Sequence, residues 1–275
     1  QKLAFPDMIG SRVMDLHLAK NGVVYVSSAV RGLGVMYPGS NVPVWFSLGE
    51  RKRITSTIEA PDGRIISLTD NGIYEFSNYQ FKQLYADDVL HKILRKLFVF
   101  PGDSTVYITT SDGILALNGN HVHRLPYKIN GVYPDAYSLF KHKPDDFIIS
   151  AANGVFQTDG TDVTLIEDGT NRITERMFFV TRDSDGFYYF GSDLGVIRWD
   201  LQSDYRILGI AEGLAGNETN RDGGLIDSDG RLWVGTETGV SVLDLSLLGE
   251  APPAPELQFH TLTLFSGESF NLDKK

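Results

Sequence analysis

The sequence predicts an all-β fold, a β-propeller of four-stranded blades, on three observations. The first is self-similarity: six segments repeat a small polar turn, an apolar strand, a second turn, a glycine and another apolar strand. The glycines opening the later strand are Gly34, Gly72, Gly113, Gly154, Gly195 and Gly239, a period of about 40 residues that suits propeller blades. The second is rhythm: apolar residues alternate or run in fours and fives, without the i, i+3, i+4, i+7 spacing of helical repeats. The third is composition: 28 Gly, 12 Tyr and 16 Phe in 275 residues favour turns and pleated, half-buried surfaces.

The blades follow in order. Blade one is "NGVVYVSSAVRGLGVMY", led by the inner strand "RVMDLHLA" and followed by the outer strand "VPVWFSL". Blade two is "DGRIISLTDNGIYEF", with "RITSTIEA" inside and "QFKQLY" outside. Before blade three lies the one helix-like stretch, "DDVLHKILRKLFVF"; its tail is aromatic and branched, so it reads as a connection running into an inner strand. Blade three is then "DSTVYITTSDGILAL" with outer strand "HVHRLPY", and blade four is "DDFIISAANGVFQTD" with "DVTLIED". Blade five is "DGFYYFGSDLGVIRWD", between "RMFFVTRD" and "YRILGI". Blade six is "DGRLWVGTETGVSVLD". Asp-Gly and Asn-Gly suit the tight primed hairpins, which need positive φ.

Blade six stops after three strands, so the N-terminal "QKLAF" is expected to supply its fourth and close the ring. Six blades follow from the count, with seven as the alternative if one blade is too degenerate to recognise. The propeller is assigned to residues 1–249. The Pro-rich "LGEAPPAPE" leads into residues 250–275, a linker and the alternating start of a truncated β-sandwich.

Blade six with its lead-in reads "EGLAGNETNRDGGLIDSDGRLWVGTETGVSVLD". It resembles the two-component regulator propeller repeat through Gly213, Leu214, Asn217, Asp229, Gly230, Leu232, Trp233, Gly235, Thr236, Gly239 and Asp244. Blades one and five fit less well, and an extra residue lies in "NRDGGLID". The resemblance implies the periplasmic sensor region of a Bacteroidetes-type sensor or hybrid histidine kinase, followed by a three-tyrosine β-sandwich. It implies a membrane anchor in the full-length protein, through a segment not present here. It also implies a glycan or related small molecule as the signal, and self-association or an adjoining propeller or β-sandwich domain as partner. On that reading this segment is not an enzyme, and the isolated chain is expected to bind a small ligand weakly or not at all.

Composition narrows the alternatives. A net charge of −10, with "RKR" at Arg51–Arg53 as the only basic run, argues against a nucleic-acid surface and suits neutral ligands, cations or basic partners. With no cysteine there is neither disulfide nor thiolate metal site. No apolar run approaches the length of a membrane span. "QKLAF" suits a mature terminus after signal cleavage or the edge of a longer chain.

Chemistry-bearing motifs are few. His121 and His123 share one strand face, which can suit a metal, but no third ligand lies near in sequence, so a solvated face is expected. "DSDG" at Asp183–Gly186 and Asp227–Gly230 lacks the further oxygen ligands of a calcium loop and reads as a hairpin turn. Gly-x-Ser-x-Gly, Walker and dinucleotide-binding motifs are all missing, and no metal or cofactor is expected. Trp199 and Trp233 are expected in the inter-blade core, and Trp45 packed on an outer strand.

Propeller geometry places the turns between second and third strands on one face, together with the segments leading into the inner strands. Candidate ligand residues in those turns are Arg31, Asp70, Asn71, Asp112, Asn153, Asp193, Glu237 and Thr238. In the lead-in segments they are Arg12, Arg53, Arg176, Asn220 and Arg221. Arginines interleaved with carboxylates and amides around a funnel can bind a hydroxyl-rich ligand or clamp an acidic sugar. Three functions compete: an extracytoplasmic sensing propeller, a structural propeller subunit of a secretion apparatus, and a propeller lyase or hydrolase using a central acid or histidine.

Overall fold

The computed structural model describes residues 12–49, 53–70, 72–86, 93–143, 145–160, 162–166, 175–248 and 261–271. Contacts divide the chain into two units, Gln1–Leu245 and Ser246–Lys275. The first is a six-bladed propeller of antiparallel sheets. Blade one holds β1 (Val13–Leu18), β2 (Val24–Ser28), β3 (Gly32–Met36) and β4 (Val44–Phe46); blade two holds β5 (Ser56–Glu59), β6 (Ile65–Leu68), β7 (Gly72–Ser77) and β8 (Gln80–Ala86). Blade three is β9 (Leu94–Phe98), β10 (Val106–Thr110), β11 (Gly113–Asn118) and β12 (His121–Arg124). Blade four is β13 (Ala136–Lys143), β14 (Asp146–Ala151), β15 (Gly154–Thr158) and β16 (Val163–Leu165). Blade five is β17 (Met177–Arg182), β18 (Tyr188–Ser192), β19 (Gly195–Trp199) and β20 (Tyr205–Leu208). Blade six shows β21 (Thr219–Ile226), β22 (Arg231–Thr236) and β23 (Val240–Asp244). The closing strand expected from "QKLAF" falls in residues 1–11, outside the described residues, as does the helix-like Asp87–Lys92 ahead of β9.

The first strand of each blade is innermost: β1, β5, β9, β13, β17 and β21 touch in succession around the axis. The core lies between blades. Ile66, Leu68 and Ile73 of blade two pack on Leu97, Ile108 and Leu115 of blade three, and Tyr107 meets Phe147 across the next interface. Buried hydroxyls fasten the first and second strands of neighbouring blades to one another. Ser27, Thr57 and Ser67 form a chain of 3.0 Å contacts, and Ser138 Oγ accepts from the Val180 amide.

Two recurring devices account for the repeat pattern. A hydroxyl at the end of the second strand donates to the carbonyl of the glycine three residues on: Thr69 to Gly72, Thr110 to Gly113, Ser192 to Gly195 and Thr236 to Gly239. At the other end of the hairpin, a turn aspartate accepts from an aromatic donor in the second strand. Tyr107 reaches Asp103, Tyr189 reaches Asp183 and Trp233 reaches Asp227 at 2.7–2.8 Å. The aspartates of "DSDG" are therefore hairpin residues.

Two expectations are corrected. In blade one the repeat glycine is Gly32, not Gly34: Gly32 opens β3 at φ +84°, where a Cβ would lie 2.3 Å from the Phe46 carbonyl. Gly34 instead makes room for the ring of Trp45, which is half-buried on the outer strand. Trp199 is fully buried as expected, but Trp233 is 40% exposed. It sits between Leu225 and Val242 in an apolar row across blade six whose opposite face, with Leu232, Val234 and Leu243, is the buried one.

In the second unit, β24 (Thr261–Thr263) and β25 (Ser269–Asn271) form a hairpin with every described side chain exposed, Phe265 among them. No helix among the described residues is long and apolar enough to cross a membrane.

Candidate functional site

A cavity of about 690 Å³ opens at the axis, lined from all six blades. The lining comes from the starts of the inner strands because these converge at the centre while the outer strands fan away. Its walls carry Arg12, Val13 and Met14 of blade one, Arg53 and Thr55 of blade two, and Ile93, Leu94 and Arg95 of blade three. Tyr137 comes from blade four, Arg176, Phe178 and Asp193 from blade five, and Glu218–Asp222 from blade six.

Six of the thirteen candidate residues meet here: Arg12, Arg53, Arg176, Asp193, Asn220 and Arg221. A seventh, Asp70, holds Arg53 through a 3.0 Å ion pair. The other turn residues are tied elsewhere. Arg31 lies over the Trp45 ring, Asp112 pairs with Arg124 of the outer strand, and Asn153 is exposed. Glu237 packs against Gly216, and Thr238 donates to the Ala215 carbonyl. Asn71 lies outside the described residues. Turn side chains of blades one, two, three and six thus meet their own lead-in segment or outer strand, and the cavity is formed mainly by the inner-strand starts.

Sequence reasoning missed Arg95, Tyr137, Glu218 and Asp222. Arg95 pairs with Asp135 at 2.6 Å and lies 4.2 Å over the Tyr137 ring. Arg221 lies 4.9 Å from the same ring, and Phe178 meets it edge-on. Tyr137 is thus a buried platform with two guanidiniums against it. Arg221 and Asp222 reach the cavity through a bulge. Between Thr219 and Gly224 the register against β22 breaks, Asp222 adopts φ +55°, and Asn220 Nδ2 donates to the Thr236 carbonyl. The extra residue noted in "NRDGGLID" is the sequence signal of this bulge. Gly223 and Gly224 permit it: a Cβ on Gly224 would lie 2.1 Å from the Phe179 ring.

One step along the same inner strands, Lys96 Nζ meets Asp15 at 2.7 Å, and Asp15 also accepts from Ser56 Oγ and the Thr57 amide. Asp222 opens to cavity water yet is enclosed by protein on its other sides. Burial pushes its carboxyl up to about 6 and Asp15 adds to the rise, against the pull of Lys96, Arg221 and Arg95. Burial is the largest single influence on Lys96 and lowers it, but Asp222 and Asp15 together outweigh burial and raise it. His17 is lowered by burial, and its Nε2 accepts from the Glu59 amide. His121 and His123 stand exposed on one face of β12 with ring centroids 5.7 Å apart.

The cavity therefore offers guanidiniums, carboxylates, an amide and an aromatic ring. Among its lining residues there is no serine or cysteine nucleophile and no histidine. Such a set binds and orients polar ligands through hydrogen bonds.

No protein-family profile and no curated protein sequence matches the chain. Solved structures do. An extracellular domain assigned to the hybrid two component system BT3049 of B. thetaiotaomicron aligns over 94% of this chain and 37% of its own length, at 14% identity and TM-score 0.64. PorZ, described as an essential surface component of the type-IX secretion system of Porphyromonas gingivalis, aligns over 84% and 38%, at 11% identity and TM-score 0.67. Virginiamycin B lyase from Staphylococcus aureus aligns over 87% and 81%, at 14% identity and TM-score 0.68. The chain thus spans less than two fifths of the length of the first two. At these identities the likeness is one of propeller fold.

Proposed function

We propose that this chain is the extracytoplasmic, non-catalytic sensing propeller of a two-component signalling protein, which takes up a glycan or related small molecule at the axial cavity. The observation that carries the reading is the convergence of hydrogen-bonding side chains from six blades on one cavity. The blade-six motif and the fold shared with a two-component extracellular domain support it. A lyase is the second reading, supported by the fold shared with virginiamycin B lyase. A histidine-to-alanine variant of that enzyme is catalytically inactive, whereas the lining here has no histidine and the His17 ring is engaged with backbone. The secretion reading is supported by fold alone.

The test is NMR titration of the ¹⁵N-labelled chain with neutral and acidic oligosaccharides, which detects weak binding. Saturable shifts at the amides of Thr219–Asp222, with the saccharide recovered intact, are expected. Chemical conversion of the saccharide, or shifts confined to surfaces away from the cavity, would overturn the reading. Reading the coding sequence past Lys275 is an independent check: a membrane span and kinase are expected, and a secretion-type C-terminal domain would refute it.

A further inference from the structure

We infer that the axial cavity recognises a sugar acid, whose carboxylate seats on Arg12, Arg176 and Arg221 while its hydroxyls engage the neighbouring carboxylates. This rests on the reading of the cavity as the ligand site and names the chemistry it selects. Five arginines line the cavity in a chain of net charge −10. Two of them are spoken for: Arg53 is paired with Asp70 and Arg95 with Asp135. Among the described residues, Arg12, Arg176 and Arg221 make no ion pair. They come from blades one, five and six and line the same cavity.

Arg12 and Arg221 are held in place although they make no ion pair among the described residues. The Arg12 carbonyl accepts from the Ala29 amide, Arg221 leans on the Tyr137 ring, and the bulge carrying Arg221 is fixed by Asn220. Held, unpaired guanidiniums present the planar fork that matches a carboxylate. The cavity also carries Asp193, Glu218 and Asp222, and none of the described ion pairs joins them to those arginines. Acceptors and donors thus line one cavity without neutralising each other in ion pairs. A compact anion such as phosphate gains from the arginines but lacks the several hydroxyl donors that would engage the three carboxylates. A neutral sugar satisfies the carboxylates with its hydroxyls but leaves the guanidinium forks without an anion. A sugar acid serves both sets, and the cavity volume suits a ligand of one or two residues.

The test uses the 275-residue chain at pH 7, with glucuronate, glucose, acetate and inorganic phosphate titrated separately by NMR and calorimetry. Glucuronate is expected to bind weakly and to shift Thr219–Asp222, at least about tenfold more tightly than glucose or acetate. Arg176→Gln and Arg221→Gln should each weaken it by about tenfold, Arg221→Lys by less, and Arg31→Gln not at all, with unfolding midpoints unchanged because these side chains are not in the core. If glucose binds as tightly as glucuronate, the acid inference fails while the ligand-sensing reading stands. If phosphate or acetate binds as tightly, the site is a plain anion site and the inference fails. If no saccharide shifts the cavity amides, the acid inference fails, and the sensing reading is then decided by the coding sequence past Lys275.

Discussion

Asp222 shows how one residue can depend on the whole assembly. Its strand position is set by a bulge, its φ is positive, and its neighbours Lys96, Asp15 and Arg95 come from blades one and three. With a folded-state value of about 6 against 3.8 ordinarily, the native state binds this proton more tightly than the unfolded chain. Its contribution to stability is therefore present at about pH 4 and lost as pH rises through about 6. Urea midpoints of Asp222→Asn should lack that slope relative to the parent chain, and NMR should give the Asp222 carboxyl a midpoint near 6. A midpoint near 4 would show that cavity water solvates this carboxylate fully.

Blade hairpins follow a simpler chemistry. Asp103, in the turn between β9 and β10, accepts from Tyr107 of its own blade and pairs with Lys141 of blade four. Burial would raise its carboxyl, but the bonds from Lys141 and Tyr107 outweigh that and hold it at about 2. Removing the charge strands a half-buried ammonium, so Asp103→Asn should cost about 2 kcal/mol at pH 7 in urea unfolding. The sign is opposite to that of Asp222. The stabilisation is present above about pH 4 and lost as pH falls through about 2, so mutant and parent should converge in acid. An unchanged difference at pH 2 would contradict the assignment. The turn aspartates of blades three, five and six work alike, so "DSDG" encodes a fastening between turn and strand.

At the scale of the molecule, stability resides in the interfaces between blades, and the described C-terminal hairpin is exposed throughout. Ile108→Ala, at the buried interface of blades two and three, should cost about 2–5 kcal/mol in urea unfolding; a loss below about 1 kcal/mol would show that this interface carries little of the stability. The repeat was legible because hairpins are local. Positive-φ glycines, turn aspartates and alternating apolar residues leave marks within a few residues, and they recovered five of the six repeat glycines and the inner strands of blades one, two and five. Blade one was misaligned by two residues because Gly34 mimics the repeat glycine while serving Trp45. The exposure of Trp233 was not legible, since the motif fixes its place in the strand but not what covers that face. The cavity was half legible: lead-in arginines could be named, whereas Arg95, Tyr137 and Asp222 depend on where an inner strand begins and on a bulge. By itself the sequence determined the blades, their order and their turn chemistry, because these follow from periodicity and backbone preference over short spans. Only the tertiary structure decided which arginines are neutralised and which remain open, because ion pairing depends on distances between blades some 40 residues apart in the chain.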